Sequence, residues 1–260
     1  MPDFPTVLAL DFDGVLCDGL KEYFQTSWRA YRKLWQIEDP TPPPDWAEVF
    51  YRLRPVILTG WEMPVLLRAI ATGIPEAEIG QNWPRICQGI MQQEHLEAPQ
   101  LAAEVDGIRD HWIETNLAGW LAEQRFYPGV VDRLQNLENS STTALIISTK
   151  EKRFIQQLLQ QESVDPSRLQ IFGKETKRPK SAILQDLVRN NPTATFWFLE
   201  DRLETLIEIR KFPELESVGL FLADWGYNTQ LEREAIAHDR HITLISLEQF
   251  TQDFPTWLRA

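Results

Sequence analysis

The sequence predicts an α/β protein in which an all-helical domain is inserted into a doubly wound parallel sheet. Residues 7–10 form a short apolar strand that ends directly in acidic residues, and from residue 128 onward strand and helix patterns alternate. Such alternation is typical of parallel sheets covered by helices. About a hundred residues of helical pattern follow the first strand, which is too long for an ordinary crossover. We therefore expect a sheet core of residues 1–17 and 128–260 and a helical domain of residues 18–127.

Composition predicts a soluble globular protein. The chain has 260 residues, 43% of them hydrophobic, and a formal net charge of -12. This acidity argues against a nucleic-acid partner, because binding to phosphate backbones depends on clustered Lys and Arg. A small phosphorylated substrate remains compatible, since a bound metal ion supplies positive charge locally.

The sequence shows neither a signal peptide nor a membrane-spanning run, so we expect a cytoplasmic location without membrane contact. Cys17 and Cys87 lack metal-ligand spacing and are expected to be buried thiols. The oligomeric state is not predicted.

The first strand, Val7–Leu10, ends in Asp11-Phe12-Asp13-Gly14. Because the chain turns at the end of a strand, the carboxylates of Asp11 and Asp13 can converge on one point. Two carboxylates that close need a cation, or one of them stays protonated. A plain turn is the alternative, since Asp and Gly are common in turns. A calcium loop is disfavoured, because Val15 and Leu16 occupy positions where that loop needs an acid and a glycine.

The segment after the first strand has helical periodicity throughout. Helices are predicted over residues 22–35, 46–53, 64–72, 79–94 and 101–125, with prolines between residues 40 and 44 ending the first of them. The buried stripe of the last helix is predicted to consist of Trp112, Leu117, Trp120 and Leu121. This block is the inserted domain.

The rest of the chain alternates between strands and helices. Strands are predicted over residues 144–147, 169–172, 195–199, 217–222 and 242–246. Helices are predicted over residues 129–137, 152–160, 181–189 and 204–212, with one more at the end of the chain.

Three later strand-to-helix junctions carry groups that complement the first acid pair. Ser148 and Thr149 follow the second core strand, where a hydroxyl next to backbone N–H groups suits a phosphate oxygen, although a simple cap is the alternative for Ser148. Lys180 opens a helix, where a positive charge is unfavourable unless an anion binds there, although a solvated basic loop is the alternative. Glu200-Asp201 follows another apolar strand and offers oxygen ligands to a hard cation such as magnesium.

Together, these four stretches resemble the four motifs of the haloacid dehalogenase superfamily. The resemblance implies a Rossmann-like core with a helical cap that closes over the site. It implies Asp11 as a nucleophile that becomes an aspartyl-phosphate and Asp13 as the general acid and base. It also implies Ser148, with the adjacent Thr149, and Lys180 as phosphate ligands. Magnesium would be bound by Asp11, the backbone carbonyl of Asp13, and Asp201, with Glu200 as a direct or indirect ligand. Lys177 and Lys174 remain alternatives to Lys180, and only Glu204 stands near the place of a later aspartate.

The resemblance implies a magnesium-dependent phosphatase for a small phosphorylated metabolite. A phosphomutase with the same residues and a non-catalytic binding or scaffold protein remain alternatives, whereas a dehalogenase is disfavoured because Asp13 is present. Other stretches resemble a subgroup of such proteins from cyanobacteria and plants, namely 54–60, 125–129, 200–203 and 225–229. Candidates for substrate selection in the helical domain, none with an assigned role, are Arg54, Glu62, Arg109 and His111.

Overall fold

The computed structural model describes residues 4–258 and divides the chain into two compact units. Unit 1 contains the chain up to Asp18 and from Phe126 onward, and unit 2 is Gly19–Arg125. The first boundary lies one residue later than the predicted one, and the second lies two residues earlier. Both differences fall at two-residue strands, which are too short to leave a hydrophobic pattern in the sequence.

The strands are β1 Val7–Leu10, β2 Cys17–Asp18, β3 Arg125–Phe126, β4 Thr143–Ile147, β5 Gln170–Phe172, β6 Phe196–Glu200, β7 Gly219–Ala223 and β8 Ile242–Ile245. Unit 1 contains a parallel sheet in the order β5-β4-β1-β6-β7-β8. The chain winds outward from β1 in one direction and from β6 in the other, so the predicted doubly wound parallel sheet is confirmed. Its central strands are continuous apolar runs because helices cover both faces of such a sheet.

The helices are α1 Leu20–Leu34, α2 Trp46–Leu53, α3 Glu62–Ala71, α4 Glu76–Gln93, α5 Ala98–Leu121, α6 Val130–Glu138, α7 Lys152–Gln161, α8 Lys180–Asn190, α9 Leu203–Ile209, α10 Gln230–Ala235 and α11 Leu247–Thr251. Most of them start and end close to the predicted residues. The sequence reading missed α10, although Thr229 and Glu232 form a capping box at its start. The α9 helix ends before Phe212, which adopts an extended conformation ahead of Pro213.

Unit 2 consists of α1–α5 packed around an apolar core that includes Phe24, Trp28, Phe50 and Trp83. The predicted last helix is interrupted at Asn116, whose side chain accepts a hydrogen bond from the Gly119 backbone. In its predicted stripe Trp112, Trp120 and Leu121 are buried, whereas Leu117 is only partly buried.

Two further predictions concern burial and membranes. Cys17 and Cys87 are both buried and are not joined in a disulfide, which confirms the predicted burial of the thiols. Within residues 4–258, none of the helices is both long and apolar enough to cross a bilayer.

Candidate active site

The sheet register brings the predicted site residues to one edge of unit 1. Leu10 of β1 lies beside Ile146 of β4 and Leu199 of β6. Within two residues of these three positions the strands reach their carboxyl ends side by side, which is where open α/β sheets bind ligands. Asp11, Ser148, Glu200 and Asp201 therefore come from three adjacent strand ends.

Three of the predicted carboxylates form a buried cluster. Asp11, Glu200 and Asp201 are 7%, 0% and 1% exposed, and one oxygen from each lies within 4.8 Å of the others. Carboxylate oxygens are the ligands that hard divalent cations prefer. These residues therefore fit the magnesium ion that the motifs imply.

Burial changes the proton affinity of all three carboxyl groups. Loss of solvation, reinforced by the charge of Glu200, raises the pKa of Asp11 from 3.8 to about 7. Loss of solvation raises the pKa of Glu200 to about 7 and, together with the charge of Asp11, the pKa of Asp201 to about 6. Without a cation, the cluster therefore holds protons that ordinary carboxylates release near pH 4.

Lys180, the first residue of α8, links two members of the cluster. Its ammonium lies 2.8 Å from Asp11 Oδ2 and 2.7 Å from Glu200 Oε2. Burial alone lowers the pKa of Lys180, but the charges of Asp11 and Glu200 outweigh this effect and raise the pKa above its usual value. The alternatives Lys174 and Lys177 are exposed, so the structure brings Lys180, rather than either of them, to Asp11.

Asp13 lies outside this cluster and has a lysine of its own. Lys150 Nζ is 2.9 Å from Asp13 Oδ1, and the two side chains are 8% and 18% exposed. The Asp13 carboxylate is therefore paired with Lys150. The backbone carbonyl of Asp13 is the atom that the resemblance implies as a ligand. Sequence reasoning gave Lys150 no role, although it belongs to the polar run that follows β4.

Ser148 and Thr149 differ in their surroundings. Ser148 is buried, and its Oγ accepts a hydrogen bond of 3.2 Å from the backbone N–H of Lys150. This bond closes a turn two residues long, whereas α7 begins only at Lys152, so Ser148 is not the cap of that helix. The hydroxyl proton of Ser148 can still be donated to a ligand. Thr149 is exposed, and its side chain makes no hydrogen bond within the described residues.

A tight loop after β7 holds Asp201 in place. The contacts between this loop and Asp201 were not predicted from the sequence. The Tyr227 backbone N–H donates to Asp201 Oδ2 at 2.8 Å, and the Asn228 side chain donates to the Asp201 backbone carbonyl at 2.9 Å. A Cβ on Gly14, which has a φ of 83°, would lie 2.1 Å from Asp201 Oδ2. A Cβ on Gly226 would lie 2.2 Å from Asp201 Cβ. Both glycines are therefore required by close packing around one carboxylate.

The site has a deficit of positive charge. Four carboxyl groups and two ammonium groups give it a formal charge of −2 when all are ionised, which a single divalent cation would balance. The six residues are Asp11, Asp13, Lys150, Lys180, Glu200 and Asp201.

Two of the side chains that were candidates for substrate selection make contacts within unit 2. Glu62 accepts a hydrogen bond from Trp83 at 2.6 Å, and Arg109 forms a 2.8 Å ion pair with the buried Glu22. His111 is exposed. These contacts give the charged groups of Glu62 and Arg109 partners inside unit 2.

Comparison with models of protein families gave no match, and comparison with curated proteins gave none either. Among solved structures, a haloacid dehalogenase-like family hydrolase from Streptococcus pneumoniae is 15% identical, with a TM-score of 0.54 and 95% of each chain covered. A predicted phosphatase from Clostridium acetobutylicum is 14% identical, with a TM-score of 0.57 over 95% of this chain and 97% of that one. A predicted phosphoglycolate phosphatase from Haemophilus somnus is 15% identical, with a TM-score of 0.57 over 88% and 89% of the two chains. The fold of this chain is that of the haloacid dehalogenase-like hydrolases, as its motifs implied.

Proposed function

We propose that the protein is a magnesium-dependent phosphatase that hydrolyses a small phosphorylated metabolite through an aspartyl-phosphate on Asp11. The observation that carries this proposal is the buried cluster of Asp11, Glu200 and Asp201, with Lys180 in contact with two of its members. A buried charged cluster costs several kcal/mol in folding stability, which argues against a scaffold that makes no use of it. Two structural neighbours described as predicted phosphatases support the same reaction class.

The contacts of Asp11 support its role as the nucleophile. Its Oδ1 accepts a hydrogen bond from the backbone N–H of Phe12 at 2.7 Å, and its Oδ2 contacts Lys180, so the carboxylate is held in one orientation. A bond forms between a carboxylate oxygen of Asp11 and phosphorus while the bond from phosphorus to the leaving oxygen breaks. Asp13 supplies a proton to that leaving oxygen.

In the second step, Asp13 accepts a proton from the attacking water, the bond between Asp11 and phosphorus breaks, and phosphate leaves. Lys180 and the Ser148 hydroxyl bind phosphoryl oxygens in both steps, because phosphoryl transfer depends mainly on positioning and charge stabilisation. When bound to Asp11, Asp201, the Asp13 carbonyl and, directly or indirectly, Glu200, magnesium would lower the negative charge that the substrate encounters.

The test is phosphate release from a panel of phosphorylated metabolites by the wild type and Asp11→Asn, with magnesium or with EDTA. We expect turnover that needs magnesium and that falls at least about 10³-fold in the variant. The matched control is Asp132→Asn, which changes an exposed carboxylate of α6 in the same unit. Magnesium binding without turnover on any compound would shift support to the mutase or the scaffold.

A further inference from the structure

Lys150 is a largely buried cation whose backbone is held by hydrogen bonds at both its N–H and its carbonyl. Its N–H donates to Ser148 Oγ at 3.2 Å, and its carbonyl accepts from the Lys174 N–H at 3.0 Å. The side chain is 8% exposed, and its ammonium lies 5.9 Å from the centre of the Phe12 ring. A long side chain anchored in this way loses little further freedom when it holds a partner.

One partner of that ammonium is Oδ1 of Asp13. Lys150 Nζ is 2.9 Å from Asp13 Oδ1. Within residues 4–258, Oδ2 of Asp13 has no hydrogen-bond or ion-pair partner. The two oxygens of this carboxylate are therefore distinct, since Oδ1 is held by a cation and Oδ2 has no such partner among the described residues.

The two buried lysines of the site have separate partners. Lys180 contacts Asp11 and Glu200, whereas the ion pair of Lys150 is with Asp13. A cation beside a carboxylate stabilises the negative charge that appears on it when its proton leaves. Asp11, the proposed nucleophile, and Asp13, the proposed proton-transfer residue, are thus each paired with a different ammonium group.

We propose that Lys150 is a positioning residue for Asp13, holding Oδ1 so that Oδ2 is the atom that transfers the proton. This inference rests on the proposed phosphatase function. As the bond from phosphorus to the leaving oxygen breaks, its electron pair stays on that oxygen, which takes the proton from Oδ2 of Asp13. Lys150 stabilises the carboxylate that results, and the same Oδ2 then accepts a proton from the attacking water.

The experiment compares two aryl phosphates whose leaving groups differ in their need for a proton. The phenol of phenyl phosphate has a pKa of about 10, like tyrosine, and leaves slowly without protonation. The p-nitrophenolate of p-nitrophenyl phosphate is a much weaker base and leaves readily unprotonated. Phenol or nitrophenol release is measured in single turnovers and at steady state for the wild type, Lys150→Met and Lys150→Arg. Lys211→Met, which changes an exposed lysine of unit 1, is the matched control.

For Lys150→Met we expect single-turnover release from phenyl phosphate to fall about 10- to 100-fold, a fraction of the usual contribution of general acid catalysis. Release from p-nitrophenyl phosphate should change less than about 3-fold, and KM should be unchanged for both. Lys150→Arg should recover much of the loss because it keeps a cation near Oδ1. Asp13 is 18% exposed at its side chain, so water can solvate it in the variant and the fold should be retained.

Four results would overturn the inference. Equal losses for both substrates in single-turnover release would show that Lys150 has no specific part in protonating the leaving group. A raised KM with unchanged single-turnover rates would make Lys150 a phosphate ligand instead. Absence of turnover in the wild type would remove the proposed function and this inference with it. An active wild type whose Lys150 variants have unchanged rates would remove the inference alone.

Discussion

Replacing the proposed nucleophile should stabilise the metal-free protein while abolishing its activity. Burial raises the pKa of Asp11 to about 7, so the folded chain holds a proton that the unfolded chain releases near pH 4. The folded state binds more protons in this window, and the free energy of unfolding therefore falls as pH rises from about 4 to about 7. Asparagine cannot ionise, so Asp11→Asn avoids that loss.

The size of the stabilisation expected for Asp11→Asn follows from the shift in the pKa of Asp11. A shift of about 3 pKa units corresponds to about 4 kcal/mol at 1.36 kcal/mol per unit. Relaxation of the site and penetration of water reduce such costs in buried charge clusters. We therefore expect Asp11→Asn to raise the free energy of unfolding by about 1–3 kcal/mol at about pH 8 in EDTA.

Urea denaturation in EDTA at about pH 8 and about pH 5 measures this difference. The stabilisation should be less than half as large at the lower pH, where Asp11 of the wild type is protonated in the folded state and already mostly ionised in the unfolded state. Asp132→Asn should change the unfolding free energy by less than about 0.5 kcal/mol at either pH, since its side chain is exposed. A variant less stable than the wild type at about pH 8 would show that the ion pair with Lys180 outweighs the cost of burial.

Three further outcomes are expected. Without a cation, the raised pKa values of the three clustered carboxyls should make stability fall between about pH 4 and about pH 7, and magnesium should restore it at about pH 8 in thermal unfolding. Gly14→Ala should weaken magnesium binding at least about 10-fold in calorimetry, because its Cβ would lie 2.1 Å from Asp201 Oδ2. Arg109→Met should lower the urea-derived unfolding free energy by about 3 kcal/mol, because Glu22 is 1% exposed and loses its 2.8 Å ion pair.

Each of these has a control or a contrary result. A free energy of unfolding that rises between about pH 4 and about pH 7 would contradict the prediction for the three clustered carboxyl groups. Gly89→Ala, where an added Cβ meets nothing within 4 Å, should leave magnesium affinity unchanged. Adding Glu22→Gln to Arg109→Met should recover part of the loss, since no buried charge is then left without its arginine. Failure to recover would assign the loss to packing of the arginine stem instead.

The sequence alone determined the fold class, most secondary structure and the residues that make up the acid cluster. Its central strands are continuous apolar runs and its helices have amphipathic stripes, so local periodicity was sufficient to find them. Asp11, Glu200 and Asp201 could be named because each lies at or just after the end of an apolar strand, and the carboxyl ends of parallel strands meet at one edge. These features depend on residues close together in the chain.

Tertiary structure decided which side chains meet at that edge. Lys150 and Asp13 are separated by 137 residues, and no local pattern pairs them. Lys180, rather than Lys177, reaches Asp11, and Gly14 and Gly226 approach Asp201 only because separate loops converge there. A hydrogen bond or an ion pair depends on distances of about 3 Å between side chains. Those distances are fixed by strand order and loop conformation, and neighbouring residues in the sequence do not record them.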